Sequence, residues 1–256
     1  MSIQFRDDTN FKGLVQFFEK EIGADRGFIT GTTSRLKDFA AQVNVAWDDY
    51  VYLALKSSGA WQFDDSAHTD YPIIKTNIVS GQSDYNFTTD EQGNLILDIY
   101  RVGILPSATA TLYQRVYPKD VQSEPEESEL FTESTAGGTP YRYDKTANGI
   151  FLEPEPNYNA TNGLKLYINR EPSYFVHTDT TKKPGCPGIH HKYFYLKPAL
   201  EYARQNGLES YNRLREEVVS LEGDEEKGIT GSIERYFSRR SKDETVILKP
   251  EPIIYE

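Results

Sequence analysis

Apolar residues recur at helical spacing towards both ends of the chain and alternate with polar ones in its middle. From Asn10 to Ile22 the residues Phe11, Leu14, Val15, Phe18 and Ile22 share one side of a 3.6-residue period. Asn10 is placed to cap the start and Gly23 lies just past the end, which predicts a short amphipathic helix. From Ser34 to about Lys56, Leu36, Phe39, Val43, Trp47, Tyr50 and Ala54 step by three and four, and Gly59 follows. This predicts a helix of about six turns with Ser34 as its cap.

Beyond Ala60 the pattern changes to alternation. Residues 71–79, 95–105, 109–117, 141–143, 149–152 and 164–168 are rich in Ile, Val, Leu and Tyr and read as strands. In GLKLYIN, Leu164, Leu166 and Ile168 should face a core while Lys165, Tyr167 and Asn169 face outward. Asn148 and Gly149 mark a turn between two of these strands. Short links without crossover helices predict an antiparallel sandwich or barrel.

Helical spacing returns at Ile189, Tyr193, Leu196, Leu200 and Ala203, again at Leu208, Tyr211, Leu214, Val218 and Leu221, and a third time at Ile229, Ile233, Tyr236 and Phe237. Pro198 falls off the first of these stripes and should kink that helix. Neither terminal helical part has an apolar partner within its own stretch, so the simplest burial joins them as one bundle. The expected organisation is α+β: a helical bundle formed by residues 1–59 and 184–242, an inserted antiparallel β-sandwich or barrel domain at 60–183, and an extended C-terminal arm at 243–256. The arm, KDETVILKPEPIIYE from Lys242, holds two prolines that forbid helix and two apolar clusters that a free tail has no reason to carry.

Composition narrows the function classes. With 39 acidic and 28 basic residues the formal charge is -11, which disfavours binding to phosphate backbones, where clustered Lys and Arg are needed. Aromatics are 13% of the chain, with 18 tyrosines against 2 tryptophans, a composition suited to half-buried strands and wet protein contacts. A single cysteine excludes an intrachain disulfide, and the opening MSIQFRDDTNFKG has no signal-peptide character, so synthesis in the cytoplasm is expected. The longest aliphatic stretches fall far short of the ~20 residues that span a bilayer.

The candidate chemistry is sparse. CPGIHHK brings Cys186, His190 and His191 together, with His177 nearby, but C-x3-H-H is not a common zinc spacing, and adjacent histidines on a helix point about 100° apart. A nucleophilic thiol needs a base and an orienting group, and the prolines and glycines around Cys186 fit the start of a structural helix better. Asp64, Asp65 and Asp70 around His68 lack the rest of a calcium loop, and Glu124, Glu126, Glu127 and Glu129 read as a solvated charge run in a long exposed loop between Asp120 and Pro140. No phosphate-cradling, nucleophile-elbow or zincin motif occurs. No catalytic residue, cofactor or metal is expected.

The stretch PYRYDKTANGIFLEPEPNYNATNGLKLYINREPSYF, followed by PGIHHKYFYLKPALEYARQNG, resembles head-to-tail adaptor, or connector, proteins of tailed double-stranded DNA bacteriophages. The carrying residues are Phe151, Leu152, Pro154 and Pro156, then LKLYINREP with Arg170 and Pro172, then Pro187, His191, Leu200, Tyr202 and Ala203. The likeness spans roughly residues 140–207. It implies a structural virion protein at the head-tail junction, a homo-oligomeric ring, typically a dodecamer, beneath the portal protein. The next tail component (tail tube, nozzle or terminator) would sit below it, and DNA would pass through its lumen without sequence-specific binding.

In such a ring the arm would grip the portal. The expected portal contacts are Val246, Ile247, Leu248, Ile253, Ile254 and Tyr255, together with Arg235, Arg239 and Arg240 of the basic stretch RYFSRRSK. A proline-ordered apolar strand suits that role because little entropy is lost on docking. The same arginines also suit a helix C-terminus, where cations favour the dipole. A β-sandwich carbohydrate- or receptor-binding module of a phage particle is the alternative, its tyrosines supplying stacking faces. An enzyme with paired carboxylates is the third reading, and no pair is nominated for it.

Overall fold

The computed structural model describes residues 3–58, 73–89, 93, 95–119, 137–146 and 149–243; of Ser58 and residues 240–243 it describes the backbone only. The protein is mixed α+β, with five helices and one seven-stranded sheet among the described residues. It divides into two compact units, Met1–Asp65 with Pro172–Glu256, and Ser66–Glu171.

The first unit is helical. α1 (Leu14–Glu21) and α2 (Thr33–Ser58) come from the front of the chain; α3 (Tyr193–Asn206), α4 (Tyr211–Glu222) and α5 (Ser232–Asp243) come from the back. α2 packs on α3 and α5, α1 on α3, and α4 on both α3 and α5. The expected apolar stripes meet here: Leu36, Phe39, Val43, Trp47, Tyr50 and Ala54 of α2 lie in one cluster with Phe194, Leu196, Leu214, Val218 and Phe237. Trp47 and Phe194 are 4.5 Å apart between ring centroids, and Phe237 meets Tyr50 edge-on at 5.8 Å. Each such buried side chain contributes roughly 1.5–3 kcal/mol.

Several helix details differ from expectation: Ser34 lies inside α2 rather than capping it, and Leu208 and Ile229 fall outside α4 and α5. α1 begins one turn later than Asn10, because Asp7 accepts the backbone N–H groups of Thr9 and Asn10, Phe11 takes a positive φ of 55°, and Gly13 occupies the N-cap. α3 starts at Tyr193, so Ile189 and the histidines precede it in a tight turn, and Ile189 is exposed rather than on an apolar helix face. Pro198 is buried, not off the packed side. α3 ends on Gly207, whose left-handed φ of 62° suits a residue without a side chain.

The segment following Glu171, expected in the β domain as far as residue 183, packs with the helices instead. Asn44 of α2 exchanges two hydrogen bonds with the backbone of Phe175, donating to its carbonyl at 2.9 Å and accepting its N–H at 2.8 Å. The Phe175 ring stacks on Phe5 at 5.0 Å, and the N–H groups of Phe5 and Arg6 donate to the carbonyls of Lys182 and Thr180. An extended segment otherwise short of backbone partners is thus satisfied by the helical unit.

The second unit is the sheet, in the order β1-β7-β3-β4-β5-β6-β2. Its strands are β1 (Ile73–Ile78), β2 (Asp84–Asn86), β3 (Ile96–Ile104), β4 (Gln114–Pro118), β5 (Arg142–Thr146), β6 (Gly149–Glu153) and β7 (Ala160–Arg170). Alternate residues form its core, among them Ile74, Val102, Val116, Tyr143, Leu152, Leu164, Leu166 and Ile168. Lys165 and Tyr167 face outward as expected, but Asn169 is buried at 2% exposure.

One pairing corrects the all-antiparallel expectation: β4 and β5 run parallel, Tyr117 opposite Arg142 and Pro118 opposite Tyr143. A parallel pair needs a connection of roughly a dozen residues or more, and the chain from Lys119 to Tyr141 supplies that length without a helix having to be written in the pattern. β2, with one buried residue in three, had no alternation long enough to notice. It pairs with β6 across Gly149, where a Cβ would collide with the Tyr85 carbonyl. A small pair, β8 (Gly223–Asp224) and β9 (Ile229–Thr230), joins α4 to α5.

Candidate partner-binding site

The prolines and glycines before α3 form a turn, closed by the His190 N–H donating to the Pro187 carbonyl at 2.8 Å. This turn points both histidines into the helical unit, where they are 3% and 2% exposed. His191 is a clip: its Nδ1 accepts the backbone N–H of Ile3 at 2.9 Å, which makes Nε2 the protonated nitrogen that donates to the Cys186 carbonyl at 3.0 Å. His190 Nδ1 lies 2.6 Å from the Tyr50 hydroxyl of α2, and its ring meets Tyr236 of α5 edge-on at 5.1 Å. Burial, then the neighbouring His191 and Lys192, lowers the His190 pKa to about 4. Its imidazole is neutral at pH 7.

Cys186 lies below this turn, 1% exposed, and burial pushes its thiol far above the usual range despite the Tyr50 hydroxyl beside it. Burial also raises Tyr50, the cysteine adding to the effect. A thiol that stays protonated and out of reach of solvent is not an activated nucleophile. Among the described residues no group of three or more His, Cys, Asp or Glu side chains is placed to hold a metal ion. The histidines tie the N-terminal segment, α2 and the start of α3 to one another.

A second cluster bears on the enzyme reading. Between α2, α3 and the β8–β9 turn, Lys197 Nζ donates to Glu222 at 2.6 Å and lies 3.4 Å from Asp49. Burial pulls the ammonium down, but the two carboxylates outweigh it and its pKa is raised. Tyr193 donates its hydroxyl to the same Glu222 oxygen. Glu222 is committed to two donors, so this cleft holds a satisfied ion pair rather than two carboxylates in contrasting environments.

An open groove of about 660 Å³ lies over the same turn. Ile189 and Lys192 form one side, Leu221 of α4 contributes, and Ser232, Arg235, Tyr236 and Arg239 of α5 form the other, with His190 beneath. Ile189 is 64% exposed. Among the described residues, three cations and no carboxylate line the groove. α5 is amphipathic: Ile233 and Phe237 are buried against α2, which turns Arg235 and Arg239 out, one helical turn apart. Arg235 is braced, its Nε and one terminal nitrogen donating to the Thr230 carbonyl at 3.1 and 2.8 Å.

Of the residues expected to contact a partner, the fold thus brings Arg235 and Arg239 together on this groove. Arg240 lies in α5, its side chain outside the description. Val246, Ile247, Leu248, Ile253, Ile254 and Tyr255 also lie outside the described residues, as do the acidic run at 124–129 and the aspartates around His68. Ile189 and Lys192 were not anticipated. The signal was present in Ile189, an apolar residue beside two prolines and two glycines, but it also fitted the helical stripe that follows.

No helix among the described residues is long and apolar enough to cross a membrane. No protein-family model matches the chain, and no curated protein matches it.

Proposed function

We propose that this chain is a structural virion protein, a head-to-tail adaptor whose copies form a ring between the portal protein and the tail and let DNA pass. In this reading the five helices form the bundle that meets neighbouring copies and the portal. The seven-stranded sheet, closed as a sandwich or barrel, faces the next tail component. Residues 244–256 leave the end of α5 as the portal-gripping arm.

The observation that carries the reading is the groove on α5. It is cationic, carries the exposed Ile189, and lies on the helix from which the apolar arm continues. Charged rims and apolar anchors are the composition of protein contact surfaces. The burial of Cys186, His190 and His191, and the commitment of half-buried Glu222 to two donors, leave these residues to architecture and further favour a structural role. The sugar-binding alternative gains less, because several sheet tyrosines, Tyr113, Tyr117 and Tyr167 among them, already carry a cation over the ring.

The test is electron microscopy of the purified chain alone and mixed with portal rings. A collar stacked on the portal is expected from the full chain, and none from a chain lacking residues 244–256 whose circular dichroism is unchanged. Undiminished portal binding by the truncated chain would remove the arm from the proposal, and absence of any ring or collar with the full chain would remove the adaptor reading.

A further inference from the structure

Within the sheet unit, the outer face of β1, β7, β3 and β4 is basic although the chain as a whole is acidic. The strand register places Lys75 directly opposite Lys165, Lys165 and Arg115 on either side of Gly103, and Arg101 opposite Tyr167. The alternating residues Ile74, Leu166, Val102 and Val116 are buried on the other side, so all four cations point away from the core. None of them forms an ion pair among the described residues. Like charges directly opposite on neighbouring strands are destabilising, and Lys75 with Lys165 is such a pair. Gly103 is buried between Lys165 and Arg115, whose strands stand about 10 Å apart, two strand spacings.

Three of the four cations are held over tyrosine rings. Arg101 and Lys165 each lie 5.1 Å from the Tyr167 centroid, Lys165 also lies 5.2 Å from Tyr113, and Arg115 lies 5.2 Å from Tyr117. These contacts reduce the side-chain freedom lost on binding, and a guanidinium stacked on a ring keeps its N–H edge for a carboxylate. They also cover ring faces on which nucleic-acid bases would stack.

We propose that this face docks a carboxylate-rich segment of a partner protein, with Arg101, Arg115 and Lys165 as the anchoring cations. The inference stands on the sheet register and does not depend on the adaptor reading.

The probe is a fluorescein-labelled poly-glutamate peptide of about 20 residues, with an oligothymidylate of similar charge as comparator. Binding to the full chain is followed by fluorescence anisotropy at low salt, where charge pairing is least screened. Poly-glutamate is expected to bind, to weaken at least about tenfold in the Arg101→Gln/Arg115→Gln variant, and to weaken about threefold in Lys165→Gln. Arg204→Gln on α3 removes a cation elsewhere and should leave binding unchanged. The proposal is overturned if poly-glutamate does not bind, if the folded double variant binds as the parent does, if Arg204→Gln weakens binding as much as the double variant, or if the oligothymidylate binds more tightly.

Discussion

His190 should make the helical unit sensitive to mild acid. Its imidazole is buried between Tyr50 and Tyr236, and its pKa in the folded chain is lowered to about 4. In an unfolded chain histidine titrates near ~6.5. As pH falls the unfolded chain therefore takes up this proton first, so the contribution to stability is fully present above about 6.5 and is lost between about 6.5 and about 4. At pH 5 the two pKa values give a loss of about 2 kcal/mol relative to pH 7.5, before most carboxylates titrate. The groups facing His190 are the Tyr50 hydroxyl, His191, Lys192 and the Tyr236 ring, with Arg235 and Arg239 along the same groove, and none of the cations offers compensation to an imidazolium. Urea unfolding of the parent and of His190→Asn at pH 7.5 and pH 5 measures the effect. Asparagine keeps an acceptor for Tyr50, so the variant is expected to be less stable at pH 7.5 but to lose about 2 kcal/mol less on acidification. Equal losses in the two proteins, or an NMR titration placing His190 near 6.5, would refute the reasoning.

Three further outcomes follow from the packing. Cys186 should resist a disulfide reagent at pH 8 in the native state and react fully in guanidinium, because burial keeps its thiol protonated. Asn44→Ala should cost about 1–3 kcal/mol in urea unfolding by leaving the Phe175 backbone without its two partners. Hydrogen exchange should then quicken at Phe175 before it quickens in α2. Gly149→Ala should lower the melting temperature of the sheet unit, since the new Cβ must displace the β2 backbone at Tyr85; an unchanged melting curve would show that β2 does not hold its place against β6.

The helices were written in the pattern because their stripes are long. Leu36 through Ala54 and Leu196 through Ala203 repeat often enough that no other structure buries them on one side, and β7 is legible in Leu164, Leu166 and Ile168 for the same reason. The mixed α+β character follows. The basic cluster RYFSRRSK in an acidic chain also marks Arg235 and Arg239.

Other features depended on contacts between residues far apart in the chain, which no local period encodes. The parallel pairing of β4 with β5 rests on a long connection that reads only as polar sequence. The segment around Phe175 looks like the end of a strand domain until Asn44, 131 positions earlier, claims its backbone. Ile3 and Cys186 set the role of His191, and Ile189 becomes an exposed groove wall where the two histidines turn inward. Local periodicity specifies which face of an element is apolar; which distant polar groups satisfy one another is settled when the units close, because a buried donor or acceptor must find its partner wherever the chain brings one.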